Sequence, residues 1–162
     1  MNPVLEDFES KDSSGRWEFS NGKEFPGATG AFSVTKAAAK EGNLGGELRF
    51  DFRGGGNYVE ASLAVPQCRQ ARQVWLWVRK PTANRMTLRC SDSEGQTFQR
   101  GFNFAYRGWQ ELHIALDGWD VHWGGKNDGV FRGAPTRIGF IVENDGARTG
   151  SVHLDKIRLV ED

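Results

Sequence analysis

Apolar and polar residues alternate with period two along most of this chain. Leu48, Phe50 and Phe52 alternate with Arg49, Asp51 and Arg53, and Val59, Ala61, Leu63 and Val65 with Tyr58, Glu60, Ser62 and Ala64. Val74, Leu76 and Val78 alternate with Trp75, Trp77 and Arg79, and Met86, Leu88 and Cys90 with Arg85, Thr87 and Arg89. Leu112, Ile114 and Leu116 continue the pattern, as do Ile138, Phe140 and Val142. Side chains of a strand point alternately to its two faces, so each run predicts a strand with one buried face. Turn residues separate the runs, at Gly54-Gly55-Gly56-Asn57, Pro81-Thr82-Ala83-Asn84, Ser93-Glu94-Gly95 and Asn144-Asp145-Gly146. Gly150 to Val160 reads as a final strand, and only Thr35 to Glu41, with Ala37-Ala38-Ala39, suits a helical turn. Many short strands with one apolar face each predict an all-β fold, an antiparallel two-sheet β-sandwich of jelly-roll topology. No linker or repeat divides residues 1–162, which read as a single domain. Gly118 to Pro135 is the one long irregular stretch, and such loops in compact domains often carry function.

Composition adds to this picture. The chain has 162 residues with 21 Gly, which suits many tight turns, and 6 Trp, enough that some are expected to face a ligand. Basic and acidic residues balance at 21 each, with no basic tract, so nucleic acid is not an expected partner. No apolar run is long enough to span a bilayer, so no membrane is expected either. Met1-Asn2-Pro3 leads straight into a predicted strand with no signal-peptide pattern, which leaves a cytoplasmic protein and a domain cut from a secreted one both open. Cys68 and Cys90 lack metal-site spacing; a disulfide and two free thiols are both compatible with their positions.

Three groups of residues carry candidate chemistry. Asp155 lies mid-strand near the C-terminus, and Glu6, Asp7 and Glu9 lie at the other end. A carboxylate inside a sheet needs a partner, and a hard cation between two acidic terminal strands would supply one. Trp75, Trp77 and Arg79 share a strand face. Either that face is exposed and lined with rings, or the strand is covered on both sides. Tyr58, Glu60, Arg89, Gln99 and Asn103 are expected as polar neighbours on the same sheet, depending on strand order. Trp123, with His122, Asn127 and Asp128, forms the third group; Trp119 and Trp123 could instead fold back to plug one end of the sandwich. Trp17 and Trp109 read as structural. No nucleophile triad, phosphate loop or paired metal histidines stands out among His113, His122 and His153. Glu60 and Glu111 are the only acids to weigh as a hydrolytic pair, and nothing selects them.

The succession Asp7-Phe8-Glu9, Trp17, Leu48-Arg49-Phe50, Val74-Trp75-Leu76-Trp77-Val78-Arg79, Gly108-Trp109-Gln110-Glu111-Leu112, Ile138-Gly139-Phe140 and Leu154-Asp155-Lys156-Ile157-Arg158 resembles the galactose-binding-like jelly-roll carbohydrate-binding modules. The likeness is greatest to the group around family eleven, and it spans nearly the whole chain. It implies a non-catalytic module that binds a polysaccharide or oligosaccharide, covalently linked to a polysaccharide-degrading catalytic domain and extracellular or periplasmic. The alternative is an ancillary sandwich packed on a catalytic domain without binding sugar. The resemblance also implies a structural calcium at Asp7 or Glu9 and Asp155. The expected sugar contacts are Tyr58, Trp75, Trp77, Arg79, Arg89, His122, Trp123 and Asn127.

Overall fold

The structure, a computed structural model, describes residues 4–66, 70–102 and 108–161. In chain order the elements are β1 (Val4–Glu6), α1 (Ser13–Arg16), β2 (Trp17–Ser20), β3 (Thr29–Thr35), a 3-10 turn (Lys36–Ala38), β4 (Gly45–Asp51), β5 (Tyr58–Ala64), β6 (Gln73–Arg79), β7 (Met86–Ser91), β8 (Thr97–Gly101), β9 (Trp109–Ala115), β10 (Val121–Trp123), β11 (Arg137–Glu143) and β12 (Thr149–Val160). The 3-10 turn stands where the Ala run predicts one. The first sheet runs β3-β4-β12-β6-β9, with β1 also paired to β12; the second runs β10-β8-β7-β11-β5-β2. Every pairing is antiparallel. This is the predicted antiparallel two-sheet sandwich. Strands β2, β3, β8 and β10 escaped the alternation pattern, being short or rich in Gly, Ser and Thr.

The apolar faces meet between the sheets. Leu48, Phe50, Leu76, Val78, Val152 and Leu154 of the first sheet share one buried core with Ala61, Leu63, Leu88, Ile138 and Phe140 of the second. Trp17 closes one side of it, stacked between Phe8 (5.5 Å) and Phe32 (4.6 Å), as its structural reading requires. Cys90 is a free thiol inside this core, and burial pushes its ionisation well above the ordinary range. Cys68 and Asn103 lie outside the described residues.

Strand β12 ties the first sheet together. Its first half pairs with β4, its second with β6 and β1. The pairing with β6 is irregular between Asp155 and Arg158, where Lys156 adopts a positive φ of 50°. This bulge keeps the strand's apolar residues on the core side although the sequence breaks alternation: Leu154 and Ile157, three apart, are both fully buried.

The acids at the two termini take protein donors. Asp155 is buried, and its Oδ2 accepts the amides of Lys40 (2.8 Å) and Glu41 (2.9 Å) while Oδ1 accepts that of Lys156 (2.8 Å). Burial pushes its carboxyl above the usual range, against the opposing pull of those amides. Glu9 accepts the amides of Asn43 (3.0 Å) and Leu44 (2.9 Å), and Asp7 that of Glu9 (3.0 Å). The buried acid at the N-terminus is Glu6, which accepts Phe8 N (2.8 Å), Ser13 Oγ (2.9 Å) and Trp17 Nε1 (3.1 Å). The resemblance does not name it as a calcium ligand. N–H groups aimed at a carboxylate occupy the directions a cation would need. Among the described residues no three His, Cys, Asp or Glu side chains are grouped to hold a metal. Glu9 and Asp155 thus engage backbone amides with both carboxylate oxygens, and Asp7 engages one amide with one oxygen.

Candidate functional site

Alternation fixes which side chains of the second sheet face outward. In β5 these are Tyr58, Glu60 and Ser62; in β7, Thr87 and Arg89; in β8, Thr97 and Gln99; in β11, Gly139, Ile141 and Glu143. The register brings Tyr58 opposite Glu143, Glu60 opposite Ile141, and Arg89 between Gly139 and Gln99. Over this face lies a cleft of about 360 Å³, lined by Glu24, Phe25, Asn57, Tyr58, Thr87, Arg89, Gln99, Trp123, Ile141 and Glu143.

Arg89 is the hub of the cleft. Its Nε donates to Gln99 Oε1 (2.7 Å) and its Nη1 to Glu60 Oε1 (3.1 Å). Its guanidinium also lies 5.4 Å from the Tyr58 ring centre and 5.2 Å from that of Trp123. A cation at such distances is held by both ring faces. Glu60 is only 7% exposed. Its carboxylate lies over β11 where Gly139 has no side chain: a Cβ there would come within 2.1 Å of Glu60 Oε2. Burial raises the Glu60 carboxyl above its usual range, although Arg89 and Arg137 pull it down. At the rim the Tyr58 hydroxyl donates to Glu24, which holds the Glu24 carboxyl below its usual range. Burial, and then that same bond, raises the Tyr58 phenol. Glu143 is raised by burial, against the pull of Arg85.

Trp123 reaches the cleft from edge strand β10, paired with β8 at Val121↔Gln99 and Trp123↔Thr97. It is 41% exposed, and Phe25 on the loop between β2 and β3 is 48% exposed. Trp119 behaves differently: it packs on Phe98 (5.4 Å) and stacks on Phe131 (5.8 Å), plugging the end of the sandwich. The two tryptophans of the irregular stretch thus split between the two readings open for them. His122 points to the other side of β10, where its Nδ1 meets Asn127 Oδ1 at 2.7 Å; neither lines the cleft.

Of the eight expected sugar contacts, the structure brings Tyr58, Arg89 and Trp123 together. Trp75, Trp77 and Arg79 face outward, as alternation requires, but on β6 of the opposite sheet. There Trp75 stacks on His113 (3.8 Å, 10° between planes) and donates to Gln73 (2.7 Å), while the Lys40 ammonium caps Trp77 at 4.5 Å. Trp109, on neighbouring β9, lies 6.2 Å from His153. Sequence reasoning missed Glu24, Phe25, Asn57, Thr87, Ile141 and Glu143 as lining residues. Glu60 and Glu111 stand on different sheets, β5 and β9, and cannot face one substrate. The first sheet's outer face also holds a wider depression of about 570 Å³, with Arg49, Asp51, Arg53, Thr149 and Ser151 in its lining. The one ring there, Phe50, is buried in the core, so the depression offers no ring face to a ligand.

No family model matches the chain, and no curated protein matches it by sequence. Solved structures do share its fold. A family 11 carbohydrate-binding module from Clostridium thermocellum, solved in complex with a β-1,3-1,4-mixed-linked tetrasaccharide, superposes with a TM-score of 0.73 at 15% identity, over 98% of this chain and 95% of the module. TmCBM61 in complex with β-1,4-galactotriose gives a TM-score of 0.56 at 17% identity, over 97% and 99%. An exo-β-agarase gives 0.66 at 16% identity, over 98% of this chain but 25% of the enzyme. The fold is thus that of the β-sandwich carbohydrate-binding modules, as the sequence resemblance implies.

Proposed function

We propose that this protein is a non-catalytic carbohydrate-binding module, and that the cleft over the second sheet binds a polysaccharide or oligosaccharide. The observation that carries this reading is Arg89 held by the Tyr58 and Trp123 rings on the floor of an open cleft. Sugar rings present C–H faces that pack on aromatic rings, and hydroxyls that pair with amides, carboxylates and guanidinium groups. Trp123 and Phe25 supply exposed rings; Glu24, Gln99, Asn57 and Arg89 supply the polar partners. Two proteins of the same fold were solved with a bound oligosaccharide, which supports the reading by analogy of fold.

The finer reading is a module appended to a polysaccharide-degrading enzyme outside the cell or in the periplasm. It draws support from the exo-β-agarase, in which the matched fold forms a quarter of a longer enzyme. The ancillary alternative calls for a flat apolar Trp face on β6, yet Trp75 and Trp77 are partnered by His113 and Lys40. The test is a glycan array followed by affinity electrophoresis on the selected glycans. Retardation that Trp123→Ala weakens is the expected result. Binding to no glycan on the array, or binding unchanged by Trp123→Ala, would overturn the reading. Incubation with xylans, β-glucans, mannans, pectins and alginates is expected to release neither reducing ends nor unsaturated products.

A further inference from the structure

We propose that Gln96, which does not line the cleft, is the positioning residue that sets Trp123 as a ready-made platform for the glycan; this rests on the binding reading above. Trp123 sits on a three-residue edge strand in a long loop, and such a segment has little to hold it in place. The loop is instead locked onto the turn between β7 and β8. Gln96 is 1% exposed in that turn. Its Nε2 donates to Asp128 Oδ1 and to Val130 O, both at 3.2 Å, and its Oε1 accepts Gly129 N at 2.8 Å. Three consecutive loop residues are thus read by one amide, and the set is consistent with a single orientation of that amide.

Two further features make this turn a fixed mount. Asp92, also 1% exposed, accepts the amides of Glu94 (2.9 Å), Gln96 (2.9 Å) and, from the loop, Arg132 (3.1 Å). The chain just after Trp123 lies flush against the turn. At Gly125, with φ at +52°, a Cβ would stand 3.0 Å from both Glu94 O and Gln96 N. Only glycine allows that approach without displacing backbone. The loop is therefore tied on both sides of its exposed tip, and Trp123 is held where the Arg89 guanidinium meets its ring. A ring fixed before binding spares the ordering cost that a mobile one would add to association.

The test uses Gln96→Leu, which keeps the volume and removes every side-chain bond, and Asp128→Ala, an exposed change that removes one acceptor of Gln96, with the Arg132 ion pair and the bond from Val130 N, without touching the core. Two quantities are read. The first is the backbone-independent mobility of the Trp123 indole N–H, by heteronuclear NOE, its resonance assigned by its loss in Trp123→Phe. The second is glycan affinity. The expected result is a mobile indole and about a tenfold weaker affinity in Gln96→Leu, with a smaller effect in Asp128→Ala. Trp123→Ala should cost less affinity in the Gln96→Leu background than in the wild type, the mark of residues that act together. A folded Gln96→Leu protein with a rigid indole and unchanged affinity would overturn the proposal, and so would losses that add independently. If the wild type bound no glycan the proposal would fall with the binding reading, while the indole measurement would still show whether the latch holds Trp123, so the two failures are told apart.

Discussion

The two outer faces of the sandwich carry similar inventories and opposite arrangements. On the first sheet, Trp75, Trp77 and Trp109 stand among His113, Lys40 and His153, each ring facing a neighbour within the same surface. On the second sheet the rings over the cleft are as many, Tyr58, Trp123 and Phe25, and the last two rise from the edges and remain about half exposed. The number of rings on a face therefore does not by itself set how much ring surface stays open. What matters is whether the flat faces are already used. Trp77 and Trp123 each meet one cation, and they differ in exposure: Trp77 is half-buried, whereas Trp123 is 41% exposed over the cleft.

Removing one ring from each face separates the two roles. Trp123→Ala is expected to weaken glycan binding by about 1–3 kcal/mol, the range of a central aromatic contact. Its melting temperature should hardly move, because the side chain is exposed. Trp75→Ala should do the reverse, leaving affinity unchanged and lowering stability by about 1–2 kcal/mol for a half-covered ring. Isothermal titration and chemical denaturation of both variants check this. If Trp75→Ala loses affinity and Trp123→Ala does not, the roles of the two faces are exchanged.

Arg89→Met comes next in size. It keeps the aliphatic stem against the rings but removes the charge, leaving Gln99 Oε1 and the buried Glu60 without their donor. Both affinity and stability are expected to fall, the stability by about 1–3 kcal/mol for an abandoned buried acceptor. Denaturation at neutral pH and affinity electrophoresis measure the two losses. A loss of stability alone would make Arg89 a purely structural clamp.

Period two placed Trp75, Trp77 and Arg79 on an outward face and Tyr58 and Arg89 on another, and the structure agrees with each placement. Which outward faces coincide depends on strand order, and strand order is set by pairings far apart in sequence. Strand β6 sits between β12 and β9, while β5 and β7 flank β11. No local pattern around Trp77 distinguishes these outcomes. Glu24 and Phe25 lie on a loop with no periodicity, and Glu143 and Ile141 alternate like any strand residue; only the register that puts Tyr58 opposite Glu143 gathers them. At the termini, acids on the first and last strands made Asp7, Glu9 and Asp155 resemble cation ligands, and the backbone donors that also serve them are invisible in a sequence. The amides of residues 40–44 reach these acids only after the sheet has formed.

A smaller effect separates the Glu60 carboxyl from an ordinary surface acid. A carboxyl raised by burial binds its proton more tightly in the folded than in the unfolded chain. The fold is therefore favoured as pH falls through the raised value toward the ordinary carboxylate range, and disfavoured above it. Glu60→Gln removes this dependence. Relative to the variant, the wild type should lose stability as pH rises from the ordinary carboxylate range through the raised value, and then run parallel to it. Denaturation midpoints measured across that window decide the matter. Parallel curves throughout would mean that Arg89 and Arg137 just offset burial, and a wild type that gains stability with pH would mean that they outweigh it.

The smallest expected effect is that of a chelator, and it tests the closed character of the termini. Asp155 receives three amides and Glu9 two, so a cation would have to displace donors already in place. A ligand that binds only the folded state raises the melting temperature in proportion to its occupancy. Calcium should therefore add nothing, and thermal unfolding in excess EDTA should superpose on that in millimolar calcium. Replacing Asp155 by Asn should still destabilise in both conditions, because the amide keeps one acceptor oxygen for donors that now use both. A melting temperature several degrees higher in calcium, lost in Asp155→Asn, would show that the loop at residues 40–44 turns its amides away and that the acids of the two termini take a metal after all.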